Sequence, residues 1–257
     1  MKVREGLLWL LPLVGVLLIW ELVARAGFMS PFLLPRFTLV ADRVVEDVVS
    51  GGFLFSAADT LRRAGIGYAI AATCGISVGL AMAEWKSVHW FFDPILSAGF
   101  PTPKIAFMPI FMLWLGLGDT SKIALIMLAC FFIIATNSYS GAAGVDRQLV
   151  WAARSLGASR GAILRQIALP AATPQILTGL QIALPMAVVI ALASEMIMGG
   201  GGIGGKILDA SRFADSVGLF AGIVEVSLLG TCLIRGFALL RRWLLRWHAE
   251  TQSVAGK

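Results

Sequence analysis

The sequence predicts an all-α membrane protein of about six transmembrane helices, and three observations carry that prediction. Of its 257 residues 58% are hydrophobic and only 14% charged, with a mean hydropathy of +0.84, whereas soluble domains carry about 25% charged residues. The apolar residues gather into runs long enough to cross a hydrocarbon core. The basic residues collect at the ends of those runs, as the positive-inside bias requires. That placement accounts for the net charge of +6, so no nucleic-acid partner is expected.

The first expected span, 7–25, follows Lys2 and Arg4, which hold the N-terminus in the cytoplasm. It carries Trp9, Trp20 and Glu21, exceeds a signal-peptide core, and is read as an uncleaved helix. Residues 27–60 contain Pro31, Pro35 and charges from Asp42 to Asp47, the pattern of an outside loop with a surface helix. The second span, 65–83, is rich in small residues (Ala69, Ala71, Ala72, Gly75, Gly79), which let helix backbones approach closely in lipid. The third run, 94–115, holds Pro101, Pro103, Lys104 and Pro109. Proline removes backbone donors, so this run must break or kink, either packed among helices or lining a cavity.

A turn at 116–122 offers Asp119 as N-cap of the fourth span, 123–140. Residues 141–173 form the long polar interruption, with Arg147, Arg154, Arg160 and Arg165 against Asp146 alone, and are placed in the cytoplasm. The fifth span is 175–198, then an outside loop at 199–217, then the sixth span, 218–240. Arg241, Arg242 and Arg246 with Trp243 and Trp247 form a basic, aromatic cytoplasmic anchor. No internal repeat of the kind seen in many secondary transporters is present.

Catalytic chemistry finds no foothold. The three cysteines, Cys74, Cys130 and Cys232, sit inside apolar runs, and the two histidines, His89 and His248, have no metal-ligand neighbour at helical spacing. No Ser-His, Asp-Asp or His-Glu arrangement stands out, so neither a catalytic residue nor a metal site is expected. Residues 200–206, GGGIGGK, imitate part of a phosphate-binding loop. Ile207 stands where a Ser or Thr is required and no strand precedes it, so a flexible hairpin at the outer mouth is expected instead.

Within the cytoplasmic loop Leu149, Ala152, Ala153 and Leu156 recur at i, i+3, i+4 and i+7, giving a short helix one apolar face, with Gly157 as its stop. Ser159 can cap a second short helix through Ile163, Leu164 and Ile167, ended by Leu169-Pro170. Two short helices lying across the spans would make a docking knob.

The segment VWAARSLGASRGAILRQIALPAATPQILTGL, residues 150–180, resembles the EAA loop of binding-protein-dependent ABC transporter permeases: Ala-Ala, three residues, Gly, nine residues, Ile-x-Leu-Pro. Ala152, Ala153, Gly157, Ile167, Leu169 and Pro170 fit that register. FPTPKIAFMPIFMLWLGLGDTSKIALI (100–126) and SEMIMGGGGIG (194–204) look like the nitrate, sulfonate, taurine and bicarbonate group of these permeases. The resemblance implies a type I ABC importer permease (MetI-like) fold, one permease domain over 1–257, and residues 152–157 as a coupling helix that inserts into a cytoplasmic ATPase. Where the family usually has Glu this chain has Trp151, so an acidic contact is replaced by an aromatic of the kind that anchors interfaces.

The expected function is the multi-pass permease subunit of an ATP-driven importer in the bacterial cytoplasmic (inner) membrane, carrying a small anion such as nitrate, a sulfonate, taurine or bicarbonate. Close relatives carry pyrimidine precursors and other small organics. Leu149, Trp151 and Leu156 join the motif residues as the ATPase-coupling set. Pro101, Pro103, Lys104 and Glu195 are candidates for the translocation pathway, because an ionisable group at membrane depth is a functional candidate by default; the competing reading has Lys104 and Glu195 as interfacial or structurally paired groups. The resemblance further implies a homodimer of permease subunits, two cytoplasmic ATPases that use ATP and Mg, and an extracytoplasmic substrate-binding protein, with no cofactor on this chain. The alternative is a secondary transporter or channel without an ATPase, for which the sequence offers few intramembrane charges.

Overall fold

Long runs of Leu, Ile, Val and Ala with few charges have one solution in lipid, the helix, because every backbone group must bond within its own segment. The computed structural model describes residues 2–245, apart from the side chains of residues 2–10, 147 and 160, and every regular element in it is helical. In order these are α1 (Lys2–Arg25), α2 (Phe37–Val49), α3 (Gly52–Glu84), α4 (Lys86–Gly99), a 3₁₀ turn (Lys104–Phe107), α5 (Met108–Leu115), α6 (Asp119–Ala143), α7 (Arg147–Ser155), α8 (Arg160–Ile163), a π segment (Leu164–Ala168), α9 (Leu169–Met198), α10 (Ile203–Arg212) and α11 (Ser216–Leu244). The expected side-chain roles of Lys2, Arg4, Trp9, Arg246, Trp247 and His248 lie outside the described residues.

Four stretches are long and apolar enough to cross a membrane: Gly52–Glu84, Asp119–Ala143, Gly161–Met198 and Ser216–Leu244. The pair Lys86–Gly99 and Lys104–Leu115 is bent by 99° and would make a fifth. The described residues thus give four or five spans where the sequence predicts about six; α1 is helical where the first is expected. Leu18, Ile19 and Leu22 of α1 stay more than half exposed, as on a surface that meets lipid rather than water.

The chain divides into two compact units. The first takes Met1–Thr60 and Glu195–Leu229. Here Val40 and Val44 of α2 pack with Ala221 of α11 beneath Trp20 of α1, whose indole donates to the Pro35 carbonyl at 3.0 Å. The second takes Leu61–Ser194 and Gly230–Lys257. In it α6 lies against glycines of α3: a Cβ added at Gly79 would stand 2.6 Å from the Ala135 carbonyl, and one at Gly67 2.8 Å from Ile126. On α9, Gly179 leaves the same kind of room for Asn137 of α6. The expectation that small residues of the second span face other helices is met on this side.

Several sequence-based boundaries need correction. Residues 52–60 are not part of the outside loop but the first turns of α3, which carries Arg62 and Arg63 in its interior. Those arginines are not simple end anchors: Arg63 Nε donates to Asp119 Oδ1 at 2.7 Å and Arg62 pairs with the other oxygen. Asp119 therefore serves them from the first turn of α6, and Gly118 takes the N-cap position expected of it. Leu169-Pro170 does not end a helix. The Leu169 N–H reaches back five residues to the Leu164 carbonyl, and this π turn takes up the ladder just before proline removes a donor, so the helix continues to Met198.

Candidate functional site: the loop at 141–173 and the glycine-anchored helix end

Asp146 opens the loop. Its carboxylate accepts from the Gln148 N–H at 2.8 Å, capping α7. The helix closes through two bonds of opposite reach: the Gly157 N–H donates to the Arg154 carbonyl (2.9 Å) and the Ala158 N–H to the Ala153 carbonyl (3.0 Å). This pair is the Schellman arrangement, and Gly157 supplies the left-handed conformation it needs, φ 82°. Ser159 then caps α8, its hydroxyl accepting from the Ala162 N–H at 3.3 Å. The caps read from sequence at Gly157 and Ser159 are both present.

Between Asp146 and Gly157, α7 and its C-cap leave large apolar side chains uncovered among the described residues. Leu149 is 56% exposed, Trp151 61% and Leu156 88%. Ala152 is exposed as well, while Ala153 and Ile167 are half-buried and Leu169 and Pro170 lie outward at the start of α9. Leu149 on α7 and Leu156 at its C-cap share one face with Ala152 and Ala153, and Trp151, two residues after Leu149, projects from the other side of the helix.

The break in the third run has its own chemistry. Pro101 and Pro103 lie exposed between α4 and the 3₁₀ turn. The Lys104 ammonium donates to the carbonyls of Gly99 and Phe100, each at 2.6 Å, and stands 4.9 Å from the centre of the Phe132 ring. A cation there closes the carbonyl end of α4 and takes up acceptors that the proline break leaves free.

Glu195, fully buried, anchors the next break. Its Oε2 accepts from the Thr60 hydroxyl (2.9 Å) and the Gly204 N–H (3.0 Å), while the Thr60 oxygen accepts from the Ile203 N–H (3.0 Å). The first donors of α10 are thereby satisfied, with an anion placed at its positive end. At Gly202, φ 101°, any Cβ would fall on the Glu195 carboxylate. Residues 200–206 are thus not the flexible hairpin expected: α10 begins at Ile203, and Gly204 and Gly205 are buried inside it. Lys206 is committed too, donating to Asp47 at 2.7 Å and to both Glu225 oxygens at 2.8 and 3.1 Å.

Thr60, Asp47 and Glu225 escaped the sequence reading. Glu225 gave a signal, a carboxylate in an apolar run. Thr60 and Asp47 gave none, because their partners lie more than a hundred residues away.

Comparison with known proteins gives this geometry a family. Residues 73–246 match the family described as binding-protein-dependent transport system inner membrane component. The taurine transport system permease protein TauC of Escherichia coli (strain K12) is 34% identical over 92% of this chain and 88% of its own length. The putative aliphatic sulfonates transport permease protein SsuC of Bacillus subtilis (strain 168) is 32% identical over 93% and 86%. An inward-facing structure of the MetNI methionine ABC transporter superposes with a TM-score of 0.58 at 18% identity, covering 72% of this chain and 95% of that one, and so shares the fold. With an all-helical fold, several apolar spans and relatives alike over nearly its whole length, the chain belongs to the inner-membrane components of binding-protein-dependent transport systems, and is a multi-pass ABC importer permease.

Proposed function

We propose that this permease carries a small sulfonate, with taurine the first candidate, and that α7 couples it to a separate ATPase. The exposed apolar surface of α7 is the observation that carries the coupling half of the reading. Leu149 and Leu156 enter a cleft of a cytoplasmic ATPase subunit on the Ala152-Ala153 face, Trp151 packs against the cleft wall from the other side of the helix, and the Gly157 stop sets the angle of entry. Aromatic and aliphatic anchors in a desolvated pocket dominate such interfaces, so Trp151 replaces by packing what the family's Glu supplies by charge. The helix runs without a stop from Gly161 to Met198, so a displacement of the loop passes directly into a membrane span.

The substrate half rests on two relatives, one named for taurine and one for aliphatic sulfonates, each alike over about nine-tenths of this chain. The complete transporter would hold two copies of this permease, two ATPases that bind ATP and Mg, and a binding protein that delivers the solute, with about six spans per permease. The chain itself would bind no cofactor. Pro101, Pro103 and Lys104 border the solute path at the break, and Glu195 holds the first turn of α10.

Uptake into proteoliposomes tests this reading. The chain is reconstituted with its ATPase and binding protein, and labelled taurine, ethanesulfonate and nitrate are offered with and without ATP. ATP-dependent accumulation of the sulfonates is expected. Equal uptake with the ATPase left out would return the chain to the secondary-transporter class.

A further inference from the structure

Beside α7, within the second unit, lies a cavity of about 390 Å³ that the coupling surface does not use. Glu84 and Lys86 line it from the junction of α3 and α4, His89 and Tyr139 from α4 and α6, and Arg154 and Leu164 from the loop. Its charges are unbalanced: Lys86 and Arg154 carry two positive charges against the single carboxylate of Glu84. No ion pair engages Lys86 or Arg154 among the described residues.

The third polar group is the most telling. His89 Nδ1 is buried and has no hydrogen-bond partner among the described residues, and Tyr139 holds the ring in place, stacked at 5.0 Å and 17°. A buried nitrogen left unsatisfied costs free energy unless something enters to meet it. In the tautomer protonated on Nδ1 it donates, as ammonium and guanidinium do. Two cationic donors, Lys86 and Arg154, line one cavity beside the His89 ring and suit a tetrahedral oxyanion, and the planar fork of arginine matches phosphate geometry.

We propose that this cavity binds a phosphate or sulfate group, presented by an anionic lipid headgroup or free in the cytoplasm, and that the bound anion ties α7 to the α3–α4 junction. Trp85, 47% exposed, and Trp90, 79% exposed, flank Lys86 on the same stretch of chain. Tryptophans of that kind mark the headgroup level of a bilayer, and basic pockets between transmembrane helices on the cytoplasmic side hold lipid phosphates. Bound there, the anion holds Arg154, and with it α7, whichever solute the importer carries.

The test needs no ATPase, so it can fail while the proposed function stands. The full-length chain is placed in phosphatidylcholine nanodiscs with or without about a quarter phosphatidylglycerol, and retained lipids are counted by native mass spectrometry. Inorganic phosphate and sulfate are titrated in pure phosphatidylcholine, with melting temperature as readout. The variants are Lys86→Gln with Arg154→Gln, and Arg242→Gln as a cation removed elsewhere; far-UV circular dichroism and size exclusion report folding. One retained phosphatidylglycerol, lost only in the double variant, assigns the site to lipid. Stabilisation by phosphate or sulfate, weakened about tenfold or more in the double variant alone, assigns it to the free anion. Neither response in the wild type, or equal responses in all variants, overturns the proposal, and His89→Phe gives an independent reading if the double variant fails to fold.

Discussion

Glu195 is the residue on which most local structure depends. It is fully buried at the end of α9, and its carboxylate holds Thr60 and the first turn of α10 at once. Replacing it by alanine strips partners from a hydroxyl and an amide, each worth about 1–3 kcal/mol when left buried and unsatisfied. Glu195→Ala should therefore lower the melting temperature in detergent clearly more than Glu195→Gln, whose amide oxygen can still accept both bonds; equal effects would show that the carboxylate does not hold the loop. Gly202→Ala should be costly in its own right, by about 1–3 kcal/mol, because φ is 101° and the new methyl meets the same carboxylate. Ala introduced at Gly161, where a Cβ meets open space, is the control and should be near neutral. The sequence marked Glu195 as an ionisable group at membrane depth, but it could not reveal its partners, since Thr60 is 135 positions away.

Between elements, what decides packing is how near two backbones can come. Gly67 and Gly79 of α3 lie under α6 at a distance no side chain tolerates, and Gly75 leaves only a tight 3.0 Å. Gly79→Val should cost at least the 1–3 kcal/mol of an overpacked core and separate the two helices. The same change at Gly65, where nothing lies within 4 Å, should leave thermal stability within about 0.5 kcal/mol; a comparable loss at both positions would contradict the packing. Helix existence was legible in the apolar runs, and the break of the third run in its prolines. Ends were less so. The start of α3 was hidden by Arg62 and Arg63, which read as a boundary until Asp119 is seen to pair with them. The passage through Leu169-Pro170 was hidden because proline normally stops a helix, and only a π turn lets it proceed.

Across the whole molecule the composition and one twenty-residue motif identified the class. The exposure of α7 then gives the motif a physical meaning: caps at Asp146 and Gly157 fix where the helix starts and stops, and its large apolar side chains stay at the surface. What the sequence did not carry is the web of buried and half-buried polar groups, Lys206 with Asp47 and Glu225 above all, because charge pairs across distant segments leave no periodic trace. The permease account stands or falls at α7. The most direct measurement compares the wild-type chain with Trp151→Asp and Leu156→Asp for co-elution with its ATPase and for ATP turnover on adding solute-loaded binding protein. The account predicts a stable wild-type complex, and in the variants a loss of affinity of about tenfold or more with melting temperature unchanged, since both side chains are already exposed. Full coupling in both variants, or a wild-type chain that never binds the ATPase, would contradict it.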